Sequence, residues 1–255
     1  MKITEKDLAT IKEAKIALES ESLAMRMSQI AGMPLDALVK RLPKGAGDQI
    51  SKVVNTSLRK ATGWAFATTG TKKAPLLRED WIHKVGVLVS GAAGGTGGLA
   101  STVVELPFST MIMLRSIGCI AEEEGLNMSD PKTRLGCVSV LAMGADPKKV
   151  DADEMGYWVT RKAMAGLVTQ AAEWTGKGTA PQLAAFVVEI GKRFGVVITE
   201  KMAAQLAPII GAFTGAALNH LFLDHYQKVA HAHFSIERLC LCYGEKLVKQ
   251  AYARA

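Results

Sequence analysis

Cysteine, aromatic residues and catalytic signatures are all scarce in this chain, and each scarcity narrows what it can be. Four cysteines in 255 residues, Cys119, Cys137, Cys240 and Cys242, are too few for a disulfide scaffold. The opening Met-Lys-Ile-Thr-Glu-Lys-Asp lacks the apolar stretch of a secretory signal, so a reducing cytoplasm is expected. Cys240 and Cys242 fall in a helical pattern, where side chains two apart diverge by about 200° and do not readily share a metal or a bond. All four read as structural, and no metal is expected. No window alternates polar and apolar residues between hairpin turns, which excludes an all-β fold. Neither a Gly-Lys-Ser/Thr phosphate loop, a G-x-S-x-G elbow nor an H-E-x-x-H zinc helix occurs. With 22% charged and 49% hydrophobic residues, the composition is that of a globular chain, neither disordered nor multi-spanning.

Glycine, by contrast, is plentiful and concentrated. Residues 85–114 carry a single charge, Glu105, and a second uncharged, small-residue run extends from Met202 to Asn219. Glycine costs about 1 kcal/mol against alanine inside a helix, so packing, a phosphate or a lipid must compensate for it. Gly91, Gly94, Gly95 and Gly98 recur at spacings of three and four, and Gly211 and Gly215 form a G-x-x-x-G, so both runs read as close-packing helix faces. Twenty uncharged residues are long enough to span hydrocarbon, but so many glycines, alanines, serines and threonines insert weakly. The competing reading is a dinucleotide fold: strand Val85–Val89, then Gly95-Thr-Gly97-Gly-Leu-Ala100 at a helix start. Such a fold repeats strand and helix several times, whereas the only short apolar candidate soon after is Cys137–Met143. The expected fold is all-α: a single compact helical domain with two central glycine-rich helices and no cofactor.

Around these runs the periodicity is helical. Residues 4–31 place Leu8, Ile11, Ala14, Ile16, Leu18, Leu23, Met27 and Ile30 at an approximate three-to-four spacing, which predicts an amphipathic helix ended by Pro34. A turn at Pro43-Lys-Gly-Ala-Gly precedes a helix from about Asp48 to Ala67, and Thr68–Pro75 reads as a polar loop. Asp130-Pro131 is a helix start, running to about Met143. Asp146-Pro147 and the acids from Asp151 to Glu154 open another that reaches Trp174. Pro181 restarts the chain to Ala207, and Pro208 introduces the C-terminal helix.

Glu105 is the leading functional candidate, because a carboxylate in apolar surroundings must be paired, hydrated or protonated. Pro107 removes a backbone hydrogen bond and is expected to kink the helix there, with Thr102, Glu105 and Ser109 on one face. Arg115 is the partner nearest in sequence. In the C-terminal helix His220, Asp224, Gln227, His231, Ser235 and Arg238 share a face that reads as solvated or hydrogen-bonded. His220 and Asp224 supply two ligands, too few for a metal. His225 and His233 lean to the apolar side and read as core histidines. The net charge of +7 favours anionic partners, and the basic residues read as dispersed, with no alternation with aromatics to suggest nucleic acid.

Gly94-Gly95, Glu105-Leu-Pro107, Leu114-Arg115-Ser-Ile-Gly-Cys-Ile-Ala121, Gly125, and Pro208-Ile-Ile-Gly-Ala-Phe-Thr-Gly-Ala-Ala-Leu-Asn219 with Ala230 and Phe234 resemble the bacterial EcsC family. The resemblance covers roughly residues 50–245, and its motifs are structural. It implies a mostly helical bacterial protein, named for a gene beside an ABC-transporter operon, with no assigned biochemical activity. Family members often carry Ala-Asp where this chain has Val104-Glu105, which keeps an acid. The expected division is 1–45 as N-terminal amphipathic helices and 46–255 as the EcsC-like domain. The expected function is non-enzymatic: a membrane- or lipid-associated accessory protein of an envelope transport system, cytoplasmic or peripheral on the inner membrane. Its expected partners are anionic lipid and transporter subunits, not nucleic acid. Gly94, Gly95, Thr102, Glu105, Pro107, Ser109, Arg115, Gly211, Gly215, Asn219, His220 and Asp224 are its candidate residues. The alternative is a hydrolase or metal-dependent enzyme using Glu105 with a histidine such as His220.

Overall fold

Helical periodicity in the C-terminal third produces the longest element, Gly211–Tyr243, and much of the chain is arranged on it. The structure is a computed structural model that describes residues 2–19, 23–67, 98–144, 156–173, 181–205 and 211–255, without the side chains of 64–67, 98–105, 108 and 211–216. Among the described residues there are ten helices and no strand: α1 Glu5–Glu19, α2 Leu23–Ala31, α3 Leu35–Val39, α4 Ala46–Ala67, α5 Gly98–Glu123, α6 Pro131–Met143, α7 Gly156–Ala172, α8 Pro181–Gln205, α9 Gly211–Tyr243 and α10 Glu245–Arg254.

Local chemistry sets several of the boundaries. The Asp130 carboxylate accepts from the Lys132 N–H at 3.0 Å, and Pro131 follows at the first helical position, so α6 starts where the cap dictates. Gly125, at φ 83°, closes α5, with the Leu126 N–H reaching back to the Ala121 carbonyl at 2.9 Å. Gly244, at φ 85°, lets the chain turn from α9 into α10. The helix expected over 4–31 is two, α1 and α2, and the one expected to Ala207 is described to Gln205. The glycines at 91, 94 and 95, the loop 68–75 and the acids 151–154 lie outside the described residues.

Cys137–Met143, the strand candidate of the dinucleotide reading, belongs to α6. This helix is buried on most sides, including Leu135, Cys137, Val138, Ser139, Val140 and Leu141, because α4, α5, α7, α8 and α9 all pack on it. An element covered all round loses its polar face, and with it the periodicity that separates helix from strand. The core continues between α8 and α9, where Phe194, Phe222 and Tyr226 lie with ring centroids 5.2–6.4 Å apart. Burying such a side chain contributes about 1.5–3 kcal/mol.

Candidate functional site

The seam between α5 and α9 gathers several of the residues singled out above. Gln227 donates to the Ser116 hydroxyl at 2.7 Å, and Ser235 donates to Glu124 at 2.8 Å; both pairs are 111 residues apart. A constant offset over eight residues means that the two helices run parallel, since antiparallel neighbours would keep a constant sum. The beginnings of α5, at Gly98, and of α9, at Gly211, therefore stand level at one end of the pair. Gly211 and Gly215 lie in the first turns of α9, and Thr102 and Glu105 in the first turns of α5; their side chains, like Gly94 and Gly95, lie outside the described set.

Further along the seam, α5 continues through Pro107 as one helix. The Ser109 hydroxyl donates to the Leu106 carbonyl at 3.2 Å, which gives it a local backbone partner. Among the described residues, three buried polar atoms along α5 and α9 carry no hydrogen bond: Thr110 Oγ1, Arg115 Nη1 and Asn219 Oδ1.

The polar stripe of α9 turns out to be mostly interhelical. Asp224 accepts from Arg26 of α2 at 3.3 Å and from Lys228 at 2.9 Å. Burial would raise its pKa, but these two cations outweigh that and hold the carboxyl below its ordinary value. Glu124, immediately after α5, accepts from both Ser235 and Arg238, the latter at 3.0 Å. His220 and His231 stand exposed. Among the described residues no three His, Cys, Asp or Glu side chains lie close enough to hold a metal ion.

Of the two histidines read as core, His233 is buried and His225 is half-buried. His225 Nε2 lies 2.8 Å from the Gly144 carbonyl, and burial lowers its pKa. His233 Nδ1 lies 3.1 Å from the Tyr157 hydroxyl, and burial pushes its pKa down to about 4. Burial likewise pushes the Cys137 thiol up to about 12, which keeps it protonated and unreactive.

Sequence reasoning missed the cluster beside His233. Arg161 of α7 places Nε and Nη2 on Glu237 of α9 at 3.1 and 2.7 Å, and Nη1 on Glu245 of α10 at 2.9 Å. Burial would lower the Arg161 pKa, but the two carboxylates reverse that and raise it, so the guanidinium stays charged. Tyr157 stacks on Tyr252 of α10, and Trp158 meets Tyr252 edge-on. Three helices are thereby tied at one corner. The available signal was Tyr157 and Arg161 one turn apart on one face, which names no partner.

The architecture defines a class, an all-α protein whose described ionisable groups on the central helix largely serve as ties between helices. The chain belongs to the EcsC protein family, whose model matches residues 5–239. No curated protein and no solved structure matches the chain.

Proposed function

We propose that this protein is a non-enzymatic accessory component that associates peripherally with lipid, next to an envelope transport system. One observation carries the reading: the small-residue starts of α5 and α9, whose single charge is Glu105, stand level at the same end of a parallel pair. A bilayer interface accepts small-residue, nearly uncharged segments of this composition. The engagement of Asp224, Glu124, Glu237, His225 and His233 in interhelical contacts supports a structural rather than catalytic use of α9. Among the described residues no helix is long and apolar enough to cross a membrane, so the proposal is confined to surface association.

Flotation of the purified protein with vesicles of phosphatidylglycerol and phosphatidylcholine tests this reading. Co-migration with the vesicles is the expected result. Migration of all the protein with the soluble fraction, at low and at high salt, would overturn it.

A further inference from the structure

The positive charge, read from the sequence as dispersed, is concentrated. Residues 40–63 hold six cations, Lys40, Arg41, Lys44, Lys52, Arg59 and Lys60, against one acid, Asp48, a net of +5 out of the chain's +7. Extending the window to residue 84 adds four cations and two acids, which accounts for the whole +7. The rest of the chain is balanced.

The fold turns this segment outward. In α4 the side chains of Ile50, Val54, Leu58 and Ala61 are buried, which leaves Lys52, Thr56, Arg59, Lys60 and Gly63 along the opposite, exposed face. Lys40, Arg41 and Lys44 are exposed just before it. Six cations elsewhere are neutralised by acids: Arg26 and Lys228 by Asp224, Arg161 by Glu237 and Glu245, Lys192 and Arg193 by Glu189, Arg238 by Glu124. None of the six cations of 40–63 has an acid within ion-pair distance among the described residues. An unneutralised row along a helix projects a field that reaches about a Debye length, roughly 8 Å at physiological salt, and a dense layer of anions answers it.

We infer that the outer face of α4, with the cations leading into it, is the surface by which the protein docks on an anionic lipid headgroup layer. The inference rests on the lipid reading above and assigns it a face. Charge complementarity commits this face to an anionic headgroup layer, which needs only cations at close range; no Phe, Tyr or Trp is interspersed among the six cations, and the aromatics of α4, Trp64 and Phe66, come after them.

The test compares the full-length wild type with two triple variants of equal charge. Lys52→Gln/Arg59→Gln/Lys60→Gln strips the α4 face; Lys12→Gln/Lys162→Gln/Lys246→Gln removes the same charge from exposed positions on α1, α7 and α10. All six side chains are exposed, so the melting temperature of each variant is expected to match the wild type. On phosphatidylglycerol and phosphatidylcholine vesicles the α4 variant should bind roughly a hundredfold more weakly, about fivefold for each charge, and the control only a few-fold. Equal losses in both variants would show that only net charge matters, and no loss in the α4 variant would place docking elsewhere; either overturns this inference and leaves the lipid reading standing. Failure of the wild type on every vesicle would overturn both. Tighter binding of the wild type to duplex DNA than to vesicles, lost in the α4 variant, would make the occupant a nucleic acid and refute the assignment.

Discussion

Replacing Gly144 by alanine tests the packing of α6 on α9 with a single methyl group. A Cβ at this position would meet the ring of Tyr226, with Cζ at 3.0 Å and Cδ1 at 3.1 Å and Cε1 closer still. The backbone at Gly144, φ −76° and ψ −2°, suits alanine, so the effect comes from the contact alone. Tyr226 has no room to give way: it is fully buried, its hydroxyl donates to the Leu141 carbonyl at 3.3 Å, and Phe222, Phe194 and His225 flank the ring with centroids 5.2–6.0 Å away. Overpacking of this kind costs about 1–3 kcal/mol, and displacement of the ring would forfeit a further ~1 kcal/mol of hydrogen bonding. For a chain of this size the melting temperature should fall by roughly 4–16 °C, followed by far-UV circular dichroism. Gly166→Ala is the matched control. Gly166 lies exposed in the middle of α7 with nothing within 4 Å of its would-be Cβ, so the same substitution should stabilise by about 0.5–1 kcal/mol. Opposite signs for one chemical change are the expected outcome. A Gly144→Ala variant that melts at or above the wild type would refute the packing of α6 on Tyr226.

Burial holds His233 neutral, with its pKa near 4 against about 6.5 in the unfolded chain, so below pH 6.5 the unfolded state binds more protons and stability rises with pH. The contribution is complete above about pH 6.5 and disappears as the pH falls through 4, by about 3 kcal/mol in all, with His225 acting in the same direction. Urea melts at neutral and mildly acidic pH should show this slope, and His233→Gln should flatten it; an unchanged slope in that variant refutes the assignment. Glu105→Gln is expected to cost about 1–3 kcal/mol or to abolish complementation of a deletion strain, because it alters the single charge of residues 85–114. His220→Ala, on an exposed position, should stay within about 0.5 kcal/mol of wild type. The reverse ranking in stability and complementation would move the enzymatic reading ahead of the lipid one.

Much of the helical layout was legible from residues alone. Asp130-Pro131 announces a capped helix whatever surrounds it, Pro181 opens α8 because it cannot continue a preceding helix, and His225 and His233 sit on the apolar side of a 3.6-residue period. These are local facts, decided within one or two turns of chain. Tertiary structure decided everything that needed a neighbour. The α9 stripe carries the same residues whether water or α5 faces it; only packing made Gln227 and Ser235 partners of Ser116 and Glu124, 111 residues away. Arg161 gives no hint in sequence of Glu237 or Glu245, 76 and 84 residues on. The basic segment 40–63 was countable beforehand, but which of its faces is exposed depended on α4 burying Ile50, Val54, Leu58 and Ala61. Periodicity states which side of a helix seeks cover, and only the assembled fold states what covers it, because the partner comes from a distant part of the chain.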